Sequence, residues 1–257
     1  MVALGEPEIA LAVLGPFTMR GAVRPFSRLA ARDLVVYLAF HRHDVRNDVW
    51  ASALWPECSV APSTVHSTAS VARRSLGQAL DGSEHLPKSG RHLRLAASVG
   101  TDAEQVAAAA ASNDPERWRR ALELVRGPLF EGVTRSDWAV LDGTQAEVES
   151  MVVDLALKGA AHYLHRGAGD VAEEMIRRGL RASPYDERLY RALLWASEVK
   201  GDRIGLRSTM DEILARAAER EGVRDPGWRL LHPQTLALYR ELAGGKIPAA
   251  RRDLVRL

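Results

Sequence analysis

The most constraining feature of this sequence is helical periodicity that begins near residue 101 and continues to residue 243 with no strand pattern between the segments. Thr101 and Glu104 form a capping box that opens the first helix, and Asp114-Pro115 opens a second. Five further periodic segments lie at about 144–166, 170–182, 186–200, 203–221 and 233–243. Such a chain must bury its apolar stripes by packing helix on helix.

An internal repeat is visible in the middle of this helical region. When Pro184 takes the closing position of the 34-residue tetratricopeptide pattern, the small and aromatic positions are filled by Ala160, Tyr163, Ala172, Ile176 and Gly179. One repeat of 34 residues later, Tyr190 and Leu193 still fit the pattern. The pattern prefers a small, an aromatic and a small residue at the next positions, where this chain has Leu194, Ser197 and Leu206. The sequence therefore predicts a tetratricopeptide-like α-helical domain.

The first hundred residues have a different pattern, in which short strands precede three helices. The segment from Ile9 to Met19 alternates like a strand and is broken by Gly15-Pro16, so it predicts a small sheet. Asn47 is expected to cap the second helix, and Pro56 is expected to end it. Helical spacing predicts the three helices at about 28–41, 47–55 and 63–77.

The third helix has an apolar face and a polar face. Its apolar residues recur at helical spacing and predict the side that packs on the core; they are Val65, Ala69, Ala72 and Leu76. Hydrogen-bond donors occupy the rest of the helix, and they are Ser63, His66, Ser67, Ser70, Arg73 and Arg74. A helix that exposes such donors has the size and the chemistry to enter the major groove of DNA.

Positive charge is concentrated in this first part of the chain. Residues 1–98 hold 11 Lys and Arg against 8 Asp and Glu, whereas the remaining residues hold 24 against 25. No acidic residue lies between Glu57 and Asp81. Basic residues then follow in a glycine-containing segment that is typical of a hairpin wing, namely Lys88, Arg91 and Arg94. A local basic patch of this kind favours nucleic acid as a partner.

This order of elements, with strands before three helices and a basic hairpin, resembles a winged helix of the OmpR type. The sequence motifs within these elements are similar to those of the Streptomyces antibiotic regulatory protein (SARP) family. The motifs that carry this resemblance are Val13-Leu14-Gly15-Pro16-Phe17, Tyr37-Leu38-Ala39-Phe40-His41-Arg42, Ala53-Leu54-Trp55-Pro56, Arg73-Arg74-Ser75-Leu76-Gly77, and Leu93-Arg94-Leu95 followed by Val99-Gly100-Thr101-Asp102. Two later motifs resemble the bacterial transcriptional activator domain of the same family, namely Gly127-Pro128-Leu129-Phe130-Glu131-Gly132 before Trp138 and Arg181-Ala182-Ser183-Pro184-Tyr185-Asp186-Glu187. Together the resemblances cover roughly residues 9–243.

The resemblance implies a mostly α protein with small β elements. An OmpR-type winged-helix DNA-binding domain is expected at residues 1–100, a bacterial transcriptional activator domain of tetratricopeptide-like helices at 101–245, and a C-terminal tail at 246–257. The function implied is a DNA-binding transcriptional regulator, and specifically an activator. The partners implied are double-stranded DNA, RNA polymerase and a second copy of the chain.

The expected DNA contacts follow from the polar face of the third helix and from the wing. They are Ser63, His66, Ser67, Ser70, Arg73, Arg74, Lys88, Arg91 and Arg94. The family's third helix usually carries arginines where this chain has His66 and Val71, which reduces the number of basic contacts.

Catalytic and metal sites are disfavoured by the sequence. A phosphate-binding loop at Gly244-Gly245-Lys246 would need Ser or Thr where Ile247 stands. His41, His43 and Asp44 lie in a predicted turn with no second ligand cluster, and a further pair, His162 and His165, also has no partner in sequence. We therefore expect no enzyme activity, no metal and no cofactor.

The single cysteine, Cys58, excludes an internal disulfide. No apolar run reaches the roughly 18–20 residues that cross a bilayer, and no secretory signal is visible at the N-terminus. A cytoplasmic location without membrane insertion is the expectation.

An alternative function is left open by the same residues. The weak basic content of the third helix is compatible with a winged helix that has weak or lost DNA binding, beside a helical domain that binds a protein or a small effector. The target sequence, the sign of regulation, the signal and the oligomeric state stay open, as does whether the chain is complete or part of a longer one.

Overall fold

The computed structural model describes residues 7–88, 90–224 and 227–244. The predicted tail at 246–257 lies outside the described residues. In chain order the elements are β1 (Ile9–Ala12), β2 (Thr18–Arg20), α1 (Leu29–Phe40), β3 (Val45–Arg46), α2 (Asn47–Leu54), α3 (Pro62–Leu76), β4 (His92–Leu93), β5 (Val99–Thr101), α4 (Asp102–Ala110), α5 (Pro115–Glu123), α6 (Asp137–Leu141), α7 (Thr144–Leu164), α8 (Gly169–Ala182), α9 (Glu187–Lys200), α10 (Arg203–Glu221) and α11 (Pro233–Ala243), with a 3-10 turn at Trp228–Leu230.

The chain divides into two compact units. The first unit combines the chain up to Gln105 with Gly127–Val148, and the second combines Val106–Arg126 with the chain from Glu149 onward. The first unit therefore includes residues 127–148, which the predicted domain range of 1–100 leaves out.

The first unit is built around α1, from which Leu34, Val35 and Leu38 are fully buried. α1 packs against α2 and α3. A three-stranded sheet has the order β2-β1-β5, with β1 antiparallel to β2 and parallel to β5. β3 and β4 form a second, antiparallel pair in which Val45 lies opposite Leu93. Three helices with these small sheets form the winged helix-turn-helix that the sequence predicts.

One predicted cap in this unit is wrong. α2 begins at Asn47, so the residue that precedes the helix is Arg46. The side chain of Asn47 instead accepts a hydrogen bond from Trp50 Nε1 at 3.1 Å. Because Trp50 is fully buried, its indole N–H needs a partner inside the protein, and this requirement takes the amide oxygen that a cap would have used.

Residues 127–142 complete the first unit. Phe130 N donates to Val13 O and Phe17 N donates to Glu131 O, both at 2.9 Å, so this segment hydrogen-bonds to the chain that follows β1. The Trp138 ring packs edge-on against Tyr37 of α1, with 5.0 Å between ring centroids. The connection between α5 and α7 is therefore part of the core of the first unit.

In the second unit, consecutive helices pack against each other in pairs, as the repeat predicts. On α7 and α8 the residues Ala160, Ala172 and Ile176 are fully buried. A Cβ atom at Gly179 would lie 2.9 Å from Ala156 Cβ, so only glycine allows α7 and α8 to approach this closely. α9 packs against α8, α10 and α11. Leu194 of α9, Leu206 of α10 and Leu242 of α11 form the core between these three helices. The predicted fold class, mostly α with a winged helix and a tetratricopeptide-like domain, is confirmed.

Candidate nucleic-acid interface

The polar face of α3 is positioned by its packed opposite side. Pro62 occupies the first turn, where its missing N–H costs nothing, and Gly77, with φ of +78°, ends the helix. Ala72 and Leu76 are fully buried and Ala69 nearly so, as predicted, whereas Val65 is half-buried. The apolar side fixes α3 against α1 and leaves its other side available.

The predicted donors of α3 are not equally accessible. Ser63, His66 and Arg74 are exposed, and Ser67 and Ser70 are half-buried. Ser67 Oγ donates to Thr64 O at 3.1 Å within the helix. The exposed set covers both ends of α3.

Arg73 occupies a different position from the one expected. Its side chain is only 15% exposed, and its Nε donates to Leu86 O at 2.8 Å. The guanidinium also lies 3.6 Å from the carboxylate of Glu84. Arg73 therefore attaches α3 to the segment that follows it, and its side chain does not belong to the exposed face.

Two arginines that the sequence analysis did not select lie beside α3. Arg28 Nη1 donates to Ser67 Oγ at 2.9 Å, and Arg24 Nε donates to Arg74 O at 3.1 Å. Both arginines are exposed and belong to the loop between β2 and α1. A signal was present in the sequence, because no acidic residue lies between Glu8 and Asp33.

The predicted wing residues are all exposed, namely Lys88, Arg91 and Arg94. The strand β4 between them pairs with β3, and Ala96 N donates to His85 O at 2.9 Å where the segment closes. A hairpin with two strands of its own is not seen in the described part of this segment. Arg94 lies 3.7 Å from Asp44, with both side chains 60% exposed, so solvent screens this ion pair.

Two acidic residues near the wing, Asp44 and Asp48, are each paired with an arginine. A side-chain hydrogen bond from Arg46 holds the pKa of Asp48 below its usual value. Asp48 and Arg46 therefore stay oppositely charged at neutral pH and contribute little to the local field. The uncompensated charge of the surface formed by α3 and the wing is positive, which suits a phosphate backbone.

No metal site forms among the residues that the structure describes, since none of their His, Cys, Asp and Glu side chains gather in groups of three or more. His41 Nδ1 lies 2.8 Å from Tyr37 O, and its Nε2 lies 3.3 Å from Asp142, so both ring nitrogens already have protein partners. Within the same described ranges no helix is long and apolar enough to cross a membrane.

Part of the chain is similar to a known protein family. Residues 93–204 match the family model described as the bacterial transcriptional activator domain. This match begins at β4 and covers the helices up to α9.

A solved structure extends the likeness to nearly the whole chain. The structure titled "Mycobacterium tuberculosis EmbR in complex with low affinity phosphopeptide" superposes with a TM-score of 0.61 over 97% of this chain and 68% of that one. The sequence identity is 22%, so the likeness is one of fold. No curated protein sequence gives a significant match.

Proposed function

We propose that the protein is a transcriptional regulator that binds double-stranded DNA, with α3 in the major groove. The observation that carries this proposal is the position of α3, which is packed on one side and presents Ser63, His66 and Arg74 to solvent on the other. The match of residues 93–204 to a transcriptional activator domain supports activation as the outcome of binding.

The dimensions of α3 agree with this role. Its 15 residues give a length of about 22 Å at 1.5 Å per residue, and a major groove about 12 Å wide admits one helix. In helix-turn-helix proteins the N-terminal residues of the second helix reach the base edges. Ser63, His66 and Ser67 take that place here, and Arg74 contacts the backbone at the far end.

The wing supplies backbone contacts in the proposal. Lys88, Arg91 and Arg94 bind phosphates beside the groove, which fixes orientation and adds no sequence preference. Arg73 acts through its bond to Leu86 O, because this bond holds the segment that leads into the wing.

In this proposal, the second unit mediates the contacts with other proteins. It supports a homodimer on two half-sites and contact with RNA polymerase, as the resemblance to activators implies, and such a regulator acts in the cytoplasm. With few base contacts in one winged helix, two copies are needed for tight binding to a specific site.

The test is selection of duplexes from a random-sequence pool, followed by fluorescence anisotropy of the selected duplex at two salt concentrations. The comparison pairs the wild type with Arg74→Ala and with Arg207→Ala, a variant of an exposed arginine on α10. We expect saturable binding that weakens with salt and is lost more in Arg74→Ala than in Arg207→Ala. Equal effects of the two substitutions, or absence of any selected sequence, would overturn the proposal.

A second function is favoured by one observation. Arg73 faces the protein and Ser67 is already hydrogen-bonded to Arg28, so α3 has fewer unengaged donors than its sequence suggests. In this alternative the winged helix is a packing module, and the helical unit binds a protein or a small effector. No binding of any duplex even at low salt would favour it.

A further inference from the structure

The loop between β2 and α1 lies along the last turns of α3. Val23 N and Arg24 N donate to Ser75 O at 3.1 and 3.4 Å. Ser75 Oγ donates in return to Pro25 O at 3.4 Å. The first two bonds satisfy the Ser75 carbonyl group in the last turn of α3, and all three fix the loop beside the helix.

Two guanidinium groups of this loop are thereby placed at defined points of α3. Arg28 is hydrogen-bonded to the side chain of Ser67, and Arg24 is hydrogen-bonded to the main chain of Arg74. Ser67 and Arg74 are seven residues apart, which corresponds to about 10 Å along the helix. Each bond uses one nitrogen of a group that has five N–H donors, so most donors of both side chains still face solvent.

The placement changes the charge of the proposed interface. Arg73 is turned inward, so α3 by itself offers only Arg74 as an exposed cation among its described side chains. Arg24 and Arg28 add two exposed cations, and within the described part of the chain neither of them forms an ion pair with an acidic side chain. Their fork geometry suits the oxygen pair of a phosphate better than a single base acceptor.

We propose that Arg24 and Arg28 are phosphate-binding residues that grip the DNA backbone at the edge of the groove occupied by α3. This inference rests on the proposed function and deepens it. The interface is then composite, because the loop before α1 supplies contacts that the recognition helix lacks. The ligand is the phosphodiester backbone of duplex DNA, so these contacts are independent of base sequence.

The test is the salt dependence of binding to the selected duplex and to an unrelated duplex of the same length. Each lost phosphate contact lowers the slope of log affinity against log salt by about 0.9. For Arg24→Gln with Arg28→Gln, the ratio of the Kd at about 200 mM salt to the Kd at about 50 mM salt is expected to fall about twelvefold for each copy of the chain that is bound. The fall is expected on both duplexes, since a phosphate contact has no base preference.

Two further variants separate the proposal from simpler explanations. Arg117→Gln with Arg207→Gln removes the same net charge from exposed positions of the second unit, and it is expected to keep the wild-type slope. Arg24→Lys with Arg28→Lys keeps the charge without the fork, and it is expected to restore most of the slope with weaker binding.

Each outcome decides the question. If the wild type binds the selected duplex and the Gln pair keeps its slope, the inference is overturned while the proposed function stands. If the Lys pair loses as much slope as the Gln pair, the two arginines act by holding the fold, and the inference is again overturned. A wild type that binds no duplex overturns both proposals.

Discussion

Replacement of Asp33 tests the packing of the first unit at a buried charge. Its carboxylate is fully buried. Oδ1 accepts hydrogen bonds from Arg32 Nε and Nη2 at 3.0 and 2.8 Å. Oδ2 accepts hydrogen bonds from Thr134 Oγ1 at 2.7 Å and from Arg135 Nη1 at 3.2 Å. One side chain of α1 therefore binds the segment that returns after α5.

Asp33→Ala removes the acceptor from all of these donors. Loss of one partner of a buried ion pair costs about 3–5 kcal/mol. The lower end applies here, because the Arg135 side chain is 33% exposed and water can replace part of the lost interaction. A loss of about 3 kcal/mol is a large part of the roughly 5–15 kcal/mol that stabilises a folded protein, and it lowers the melting temperature by about 10 °C.

The measurement is urea unfolding followed by tryptophan fluorescence. Trp55 reports on this region, because the Arg135 guanidinium lies over its ring at 5.5 Å from the centroid. Asp44→Ala is the matched control, since the Asp44 side chain is 60% exposed and its ion-pair partner, Arg94 at 3.7 Å, is equally exposed. This substitution should lower the free energy of unfolding by less than about 1 kcal/mol. Equal losses for Asp33→Ala and Asp44→Ala would refute the reasoning.

Three other predictions concern single side chains. Arg73→Ala is expected to lower the free energy of unfolding by about 1.5–3 kcal/mol, because Leu86 O loses a charged donor. The exposed Arg74→Ala should change it by no more than about 0.5 kcal/mol in the same urea titration. The reverse order of the two effects would contradict the inward position of Arg73. Burial, and next the charge of Glu212, raise the pKa of Tyr190 to about 12, so the stability linked to this phenol is present below pH 10 and is lost as the pH rises toward 12. Alkaline unfolding of Tyr190→Phe should be less steep than that of the wild type, and an unchanged pH dependence would count against it. Gly179→Ala should cost about 1–3 kcal/mol, because its Cβ would lie 2.9 Å from Ala156 Cβ, while Arg181→Ala, exposed on the same helix, should melt like the wild type by circular dichroism.

Local sequence signals predict the helices well because their ends are determined by nearby residues. Thr101 and Glu104 form the capping box, with Thr101 N donating to Glu104 Oε2 at 2.9 Å and Glu104 N donating to Thr101 Oγ1 at 3.0 Å. Asp114 caps α5 by accepting from Glu116 N at 3.0 Å. Each of these bonds joins residues two or three positions apart, so periodicity and cap residues are sufficient to find them.

Contacts between distant residues could not be predicted in this way. Asp33 and Thr134 are 101 positions apart, and no local pattern pairs them. The short helix α6, with five residues, is too brief to show a period. Residues 127–142 consequently look like part of the helical region in sequence, although they pack with the first unit.

The candidate interface was predictable in part. Periodicity identifies which side of α3 is buried, but it does not separate the adjacent residues Arg73 and Arg74. Arg73 turns inward because it donates to the backbone carbonyl of Leu86, which lies 13 residues away in sequence, whereas Arg74 is exposed. Arg24 and Arg28 reach α3 through the folding of a loop. The stretch without acidic residues around Arg24 and Arg28 indicates local positive charge, but it does not indicate that this loop lies beside α3.

Site-directed cleavage of DNA tests the central claim, that α3 enters the major groove, most directly. Cys58 is exposed and is the chain's single cysteine, so Cys58→Ser gives a background in which His66→Cys carries an iron chelate in the N-terminal part of α3. The account predicts strand cleavage confined to a few nucleotides within the selected duplex, and none from the same chelate attached through Arg207→Cys. Binding without localised cleavage from position 66, or equal cleavage from both positions, would contradict it.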